Sequence, residues 1–375
     1  MKILLTGGGS AGHFYPLIAI AEEIHKTTDE RKLLPADLHY MSTAPYDKKL
    51  LFENDITFHK VLAGKRRLYF SLWNYIDMVK MAIGIVMAII DVFFIFPDVV
   101  ISKGGYASIP ALFAARLFNI PVIIHESDSY PGRANKWASK FARRIAVAWS
   151  EAASFFPKEK VAVVGLPVRR DLIRPLSRGA YEYLKLSEKT PTLLIMGGSQ
   201  GAQKINEAVM DVLPELLSEY QVIHQTGVLH NESVKKTASV ILNKNENASR
   251  YKPFAYLNPL AMRMSAGVAS LVVSRSGSTI FEIAAWGIPS ILIPITHSQG
   301  DHQRKNAFTY ARTGASVVIE EENLTPHVLL SEIKRIISNK AIYDTMSTAA
   351  KNFFDDGAAT AIAHEALEIG LSHEL

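Results

Sequence analysis

At 375 residues, the chain exceeds one ordinary core and suits two domains, and its 48% apolar and 21% charged content excludes a disordered chain. The absence of cysteine excludes disulfides and thiolate metal sites and fits a reducing compartment. The net charge of +5 lies wholly in the first part: residues 1–166 hold 20 of the 41 basic and 15 of the 36 acidic residues, which leaves 21 of each beyond. Such an excess arises by chance or meets an anion: phosphate, nucleic acid or a membrane surface.

The first element is a short strand, Lys2 to Leu5, which runs into Gly7-Gly8-Gly9-Ser10-Ala11-Gly12, a lone His13 and an amphipathic helix to Ile24. The apolar run Ile3–Leu5 is too short for a signal peptide, so a cytoplasmic protein is expected. Leu68 to Phe96 is very apolar, but Asp77, Lys80 and Asp91 interrupt it, with ten uncharged residues between the last two. That is short of the ~20 needed for a span, and the stretch reads as a buried helix feeding the next strand. The run Lys65-Arg66-Arg67 followed by Leu68, Tyr69, Phe70, Leu72 and Trp73 also suits the headgroup zone of an anionic membrane.

Short β-branched runs follow at Pro97–Ser102, Ile120–Glu126 and Arg144–Trp149. Val163–Tyr181, rich in Pro and Arg, reads as an interdomain linker. Thr192–Leu213 then repeats the opening pattern of strand, glycine loop (Gly197-Gly198-Ser199-Gln200-Gly201) and helix, with Val209, Val212, Leu213 and Leu216 spaced as one buried face. Further strands are expected at Ala269–Gly277 and Ile288–Pro294, and a helix at Asp356–Leu371. Strands separated by helix-length stretches give the βαβ rhythm of doubly wound parallel sheets. The expected boundaries are 1–164 for the first domain, 165–191 for the linker, 192–340 for the second domain and 341–375 for a C-terminal helical segment.

Each glycine loop opens a helix, where bare amides and the helix dipole hold phosphate. Neither loop fits the dinucleotide fingerprint cleanly, and no Walker lysine follows. Other polar clusters end strands: Ser102–Pro110, His125-Glu126 with Asn135 beyond, Ser274–Pro289 with Glu282, and Thr296–Ala307 with Asp301, His302, Gln303 and Asn306. Ligands of open α/β sheets bind outside the carboxyl ends of the strands, so two facing domains would bring both loops to one cleft.

In order, the segments 7–13, 102–111, 125–127, 135–137, 165–169, 197–202, 275–282 and 301–307 resemble the MurG family, UDP-N-acetylglucosamine transferases of peptidoglycan synthesis with the GT-B glycosyltransferase fold. The resemblance implies two Rossmann-like domains facing a cleft, with a C-terminal helix crossing back to the first. It implies inverting transfer of GlcNAc from UDP-GlcNAc to the C4 hydroxyl of MurNAc in the polyprenyl-pyrophosphoryl-MurNAc-peptide lipid I, giving lipid II. The implied setting is peripheral, on the inner face of the plasma membrane, beside anionic lipid. No metal, no cofactor and no nucleic-acid partner is expected.

Site roles carry over residue by residue. His13 and Glu126 are rival general bases, His13 also a contact for the acceptor pyrophosphate. Ser10, Ala11, Gly12, Asn135, Arg169, Ser199, Gln200, Gly201, Glu282 and Gln303 are expected at UDP-GlcNAc, with Glu282 on the ribose hydroxyls and Gln303 on the sugar. Gly9, Gly104, Gly105 and Tyr106 are expected at the acceptor. Three features depart from the family pattern. His125-Glu126-Ser127-Asp128 stands where His-Glu-Gln-Asn is common, Leu166 replaces an Asn before Pro167-Val168-Arg169, and the Arg275–Glu282 loop is one residue shorter. The alternatives are a GT-B enzyme with another lipid acceptor such as diacylglycerol, or a UDP-sugar epimerase or nicotinamide dehydrogenase. An epimerase would need no acceptor, and a dehydrogenase should carry a clean GxGxxG.

Overall fold

The computed structural model describes residues 1–65, 73–198, 201–296 and 299–372. It divides into two compact units, Met1–Arg169 with Asp355–Leu375, and Arg170–Phe354. The first unit runs β1 (Lys2–Thr6), α1 (Ala11–Glu30), β2 (Asp37–Ser42), α2 (Lys48–Glu53), β3 (Ile56–Lys60), α3 (Trp73–Ile95), β4 (Val99–Ser102), α4 (Ile109–Leu117), β5 (Val122–Glu126), α5 (Arg133–Ala138), β6 (Arg144–Val147), α6 (Ser150–Ala153) and β7 (Val161–Val163). Its seven strands are all parallel in the order β3-β2-β1-β4-β5-β6-β7. Every residue of β4 and β5 is buried, which is why both read as continuous apolar runs and not as alternating ones. The order reverses between β1 and β4, where Thr6 lies opposite Ser102. The loops that leave these two strands therefore start side by side.

The second unit runs α7 (Arg170–Ile173), α8 (Ala180–Leu184), β8 (Thr192–Met196), α9 (Gln203–Asp211), α10 (Leu213–Glu219), β9 (Gln221–Gln225), α11 (Asn231–Ile241), β10 (Tyr251–Phe254), α12 (Pro259–Val268), β11 (Ala269–Ser274), α13 (Thr279–Trp286), β12 (Ser290–Leu292), α14 (His302–Ala311), β13 (Ser316–Val318), α15 (Pro326–Ser338) and α16 (Lys340–Phe353). Its six strands are parallel in the order β10-β9-β8-β11-β12-β13, and Met196 and Ser274 end its own reversal point. The helix expected after the second glycine loop is broken in two. Pro214 lacks the N–H that a continuous helix needs and stands at the start of α10. Val209, Val212, Leu213 and Leu216 are all buried as their spacing requires. The Pro- and Arg-rich stretch is well ordered: Leu172 carbonyl accepts from Trp286 Nε1 at 2.7 Å, and Leu176 N donates to Arg263 O at 2.9 Å.

The last helix, α17 (Ala358–Leu371), belongs to the first unit. Ile362, Ala363, Ala366 and Leu367 join a core with Leu17, Ile20, Ile24 and Ile101. The chain thus crosses back to its first domain at the end, as the fold class implies.

One expectation is overturned. Helix α3 is not a buried connector. Its buried residues are Gly84, Ala88, Val92 and Ile95, one stripe at i, i+4, i+8 and i+11. Around it Tyr75, Met78, Val79, Val86, Phe93 and Phe94 are between 56% and 77% exposed. The cause is steric. A Cβ on Gly84 would fall 1.6 Å from Leu62 O, so the backbone at Leu62 lies directly on the helix at Gly84, while the helix packs along α4; the stripe facing these neighbours is covered and the other sides are left open. The helix is apolar on nearly every side, and by length and composition it could cross a membrane. Of the basic and aromatic run that precedes it, Lys65 and Trp73 are described; residues 66–72 lie outside the described residues.

Candidate active site

The first unit gathers its polar groups where β1, β4 and β5 end. Ser10 sits at the start of α1, and its carbonyl accepts from the His13 and Phe14 amides at 3.0 Å. Gly9 and Ser10 are exposed, while Ala11, Gly12 and His13 are half-buried. The His13 ring lies between two bare backbones. A Cβ on Gly8 would come 3.3 Å from its Cδ2, and one on Gly105 would come 3.2 Å from its Cε1. Gly105 also has φ +82°, a conformation that side chains resist. His13 Nδ1 is buried without a hydrogen-bond partner. Burial, and then the positive charge of Lys103, lower its pKa to about 4 against a smaller opposing pull from Asp128. Enclosure first, and a neighbouring cation second, thus favour the neutral imidazole.

Glu126 is 3% exposed. Its Oε1 accepts from Asp128 N at 3.0 Å, and its Oε2 accepts from Gly132 N and Asn135 Nδ2, both at 2.9 Å. Burial and the adjacent Asp128 raise its pKa against these hydrogen bonds. Asn135 also donates to His125 O at 3.2 Å and packs on Gly104. Tyr106 receives the Lys65 ammonium 5.3 Å from its ring centroid. Arg169 is buried, with its guanidinium 4.7 Å from the Tyr15 ring centroid. Gly104, Gly105, Glu126, Asn135 and His13 therefore form one cluster, and Arg169 lies over α1.

In the second unit, Ser199 and Gln200 lie outside the described residues. Gly201 packs on Thr226, so closely that a Cβ would fall 2.4 Å from its carbonyl oxygen. Glu282, half-buried, is in the first turn of α13. Gln303 links two strand-end loops: its Oε1 accepts from Ile295 N at 3.1 Å, and its carbonyl accepts from Ser276 Oγ at 2.8 Å. Arg275, from the same loop, pairs with Glu321 and donates to Ile293 O at 2.9 Å.

Two family models match in chain order, the glycosyltransferase family 28 N-terminal domain over residues 3–147 and the glycosyltransferase family 28 C-terminal domain over residues 192–361. The chain belongs to glycosyltransferase family 28. A relative from Bacillus thuringiensis, named UDP-N-acetylglucosamine--N-acetylmuramyl-(pentapeptide) pyrophosphoryl-undecaprenol N-acetylglucosamine transferase 3, is 36% identical over 371 residues, 98% of this chain and 99% of its own length. Among solved structures, the MurG of Acinetobacter baumannii superposes with a TM-score of 0.74 at 22% identity, covering 98% of this chain and 99% of that one. A UDP-GlcNAc 2-epimerase from Neisseria meningitidis bound to UDP-GlcNAc superposes with a TM-score of 0.68 at 16% identity, over 98% and 100%. At such identities both structures show the shared fold alone. The family 28 chain is the one its motifs resemble, and its two parallel sheets have the GT-B architecture.

Two features of this family 28 site escape a reading by motif. Lys103, only 1% exposed, directly follows β4 without a periodic or spacing signal. In the second unit His224 is fully buried. It contacts Asn206 Oδ1 at 3.0 Å and Tyr251 OH at 2.9 Å, and Asn206 Nδ2 donates to Thr226 O at 3.0 Å, the carbonyl that Gly201 packs on. Burial lowers the His224 pKa to about 3. In the unfolded chain a histidine takes up its proton from about pH 6.5 downward. Below that value the unfolded state therefore binds more protons, and stability falls as pH falls. Between pH 6.5 and 5, denaturant unfolding should show this loss, and His224→Gln should reduce its slope by about 1 kcal/mol per pH unit. Equal slopes in both proteins would mean that His224 titrates normally when folded.

Proposed function

We infer that the protein transfers N-acetylglucosamine from UDP-GlcNAc to the C4 hydroxyl of MurNAc in a polyprenyl-pyrophosphoryl-MurNAc-pentapeptide, in peptidoglycan synthesis. The observation that carries this reading is the match, at 36% identity over 98% of the chain, to a transferase named for that donor and acceptor. The geometry supplies parts for the step. The acceptor oxygen attacks the anomeric carbon from the face opposite UDP, its proton passes to a base, and UDP leaves with the bonding electrons, so the configuration inverts. A base near neutrality must be unprotonated, and the enclosed His13 ring meets that need. Glu126, whose two oxygens accept three hydrogen bonds, holds the loop that leads into α5 and the Asn135 side chain of that helix. We assign His13 as the base and Glu126 as its structural neighbour.

Gly9, in the loop before α1, suits the acceptor pyrophosphate, with Gly104, Gly105 and Tyr106 on the same side. The donor is assigned to the second unit. Glu282 would accept from the ribose hydroxyls, the Ser199–Gly201 loop would hold the diphosphate and Gln303 would contact the sugar. The exposed apolar sides of α3, with Lys65 before it, give the protein a face for the membrane that holds its lipid acceptor.

Labelled UDP-GlcNAc and a short-chain lipid I analogue should give labelled lipid and UDP in equal amounts. Turnover of UDP-GlcNAc without acceptor would favour an epimerase instead. In the same assay His13→Ala should lower kcat by about 10²–10⁴-fold, the contribution of a general base, while calorimetric UDP-GlcNAc affinity stays near normal. A loss of donor affinity with kcat intact would reverse the assignment of substrates to units. Sedimentation with vesicles should show binding that is stronger on anionic than on neutral lipid and weaker at high salt. Equal binding to both, or none, would remove the electrostatic contact.

A further inference from the structure

Strand β3 ends at Lys60, and the chain after it is seated on α3 at two points. Leu62 O meets the helix at Gly84, and Gly64 meets it at Asp77, where a Cβ would fall 1.8 Å from the Asp77 carbonyl oxygen. Val61 N donates to Ser42 O at 3.0 Å, which holds the start of this strap to the end of β2. Both seats need glycine, because no side chain fits between backbones so close. The strap therefore has a fixed course and delivers the next residue, Lys65, to a fixed place. Its ammonium lies over the Tyr106 ring, 5.3 Å from the centroid, within the reach of a cation–π contact.

That contact spans half of the sheet. Lys65 follows β3, Tyr106 follows β4, and β2 and β1 stand between them, about 14 Å across at the usual strand spacing. The turn Tyr106–Ser108 contacts β2. Gly105, beside Tyr106, packs on the loop after β1, where its Cβ would lie 3.1 Å from Gly8 Cα. Lys65 is thus brought to the reversal point between β1 and β4, where ligands of such sheets bind. It is exposed, and among the described residues no carboxylate pairs with it. A ring face attracts an ammonium without neutralising it, so the charge and its N–H donors stay available to an anion.

We propose that Lys65 binds the diphosphate of the lipid-linked acceptor, held at the acceptor side of the first glycine loop by the strap on α3 and by the Tyr106 ring. The inference deepens the transferase reading and rests on it. A lysine is a point charge that suits a diphosphate without demanding one orientation. An anionic lipid headgroup offers the same chemistry from another source, because α3 is the proposed membrane face. The contact with Tyr106 at the reversal point favours the acceptor.

The test compares the parent with Lys65→Met and Lys65→Arg, using a short-chain lipid I analogue in solution without vesicles. In Lys65→Met the KM for this acceptor should rise about tenfold, as the loss of a charged contact produces. The kcat and the KM for UDP-GlcNAc should stay near the parent values, as for a contact made equally in the ground and transition states. Lys65→Arg, which keeps the charge, should stay close to the parent. Calorimetry with farnesyl diphosphate, which needs no turnover, should show the same loss in Lys65→Met. Unchanged acceptor KM and unchanged farnesyl diphosphate affinity overturn the proposal. So does a loss confined to sedimentation with anionic vesicles, which would give the ammonium to headgroups, and so does a raised KM without weaker farnesyl diphosphate binding, which would place the contact elsewhere on the acceptor. If the parent transfers no GlcNAc to the analogue but Lys65→Met still binds farnesyl diphosphate more weakly, the transferase reading fails and the diphosphate contact stands. If transfer is intact and neither quantity moves, the Lys65 proposal alone fails.

Discussion

The closeness of two backbones around one ring is the constraint on which the rest of the first unit's site depends. β1 and β4 end side by side because the strand order reverses between them. Their following loops can meet only where side chains are absent. Gly8 and Gly105 supply that absence, and the His13 imidazole fills the gap. Enclosure excludes water from one side of the ring, which disfavours its charged form. One packing fact thus sets both the position and the protonation state of the proposed base.

The two units share a plan and differ in electrostatics. Each places a glycine loop at the reversal point of a parallel sheet, where amides face a ligand site. The first unit adds buried titratable groups there: Lys103 directly after β4, and the neutral His125 and Glu126 at the end of β5. The second braces its loop with a chain of neutral groups, His224, Asn206 and Thr226, and keeps one little-exposed ion pair, Arg275 with Glu321, near the end of β11. These arrangements suit the proposed division of labour. A base needs a neighbour that tunes its proton affinity, whereas a nucleotide held by amides needs a rigid cradle.

Much of the fold was legible because buried parallel strands announce themselves as short apolar runs followed by glycine. β4, β5, β6, β8, β11 and β12 all fall inside the runs read from the sequence, β1 runs one residue past its expected end to Thr6, and each glycine loop follows its strand. The helix at Ala358–Leu371 was visible too. The exposure of α3 was not, because hydropathy alone cannot tell a helix covered by protein from one left for another apolar phase; the distinction lay in Gly84 and the backbone of Leu62. In the site, residues with a motif were visible and residues with only a partner were not. Lys103 and His125 are 22 positions apart, His224 and Asn206 are 18 apart, and Arg275 and Glu321 are 46 apart. No local pattern encodes such pairs. The departure at Asp128 is a case between: the sequence showed the acid, and only the structure showed the lysine charge that faces it.

The most direct test of the central claim is the kcat of Gly105→Ala with the lipid acceptor, with UDP-GlcNAc affinity measured beside it. The added Cβ would meet His13 Cε1 at 3.2 Å and Gly8 Cα at 3.1 Å, at a residue whose φ is +82°. If the site depends on the ring held between two backbones, kcat should fall about 10²-fold, as a displacement of roughly 1 Å produces. Donor affinity, assigned to the other unit, should stay near that of the parent protein. A variant that folds, binds donor and turns over at the parent rate would contradict the account.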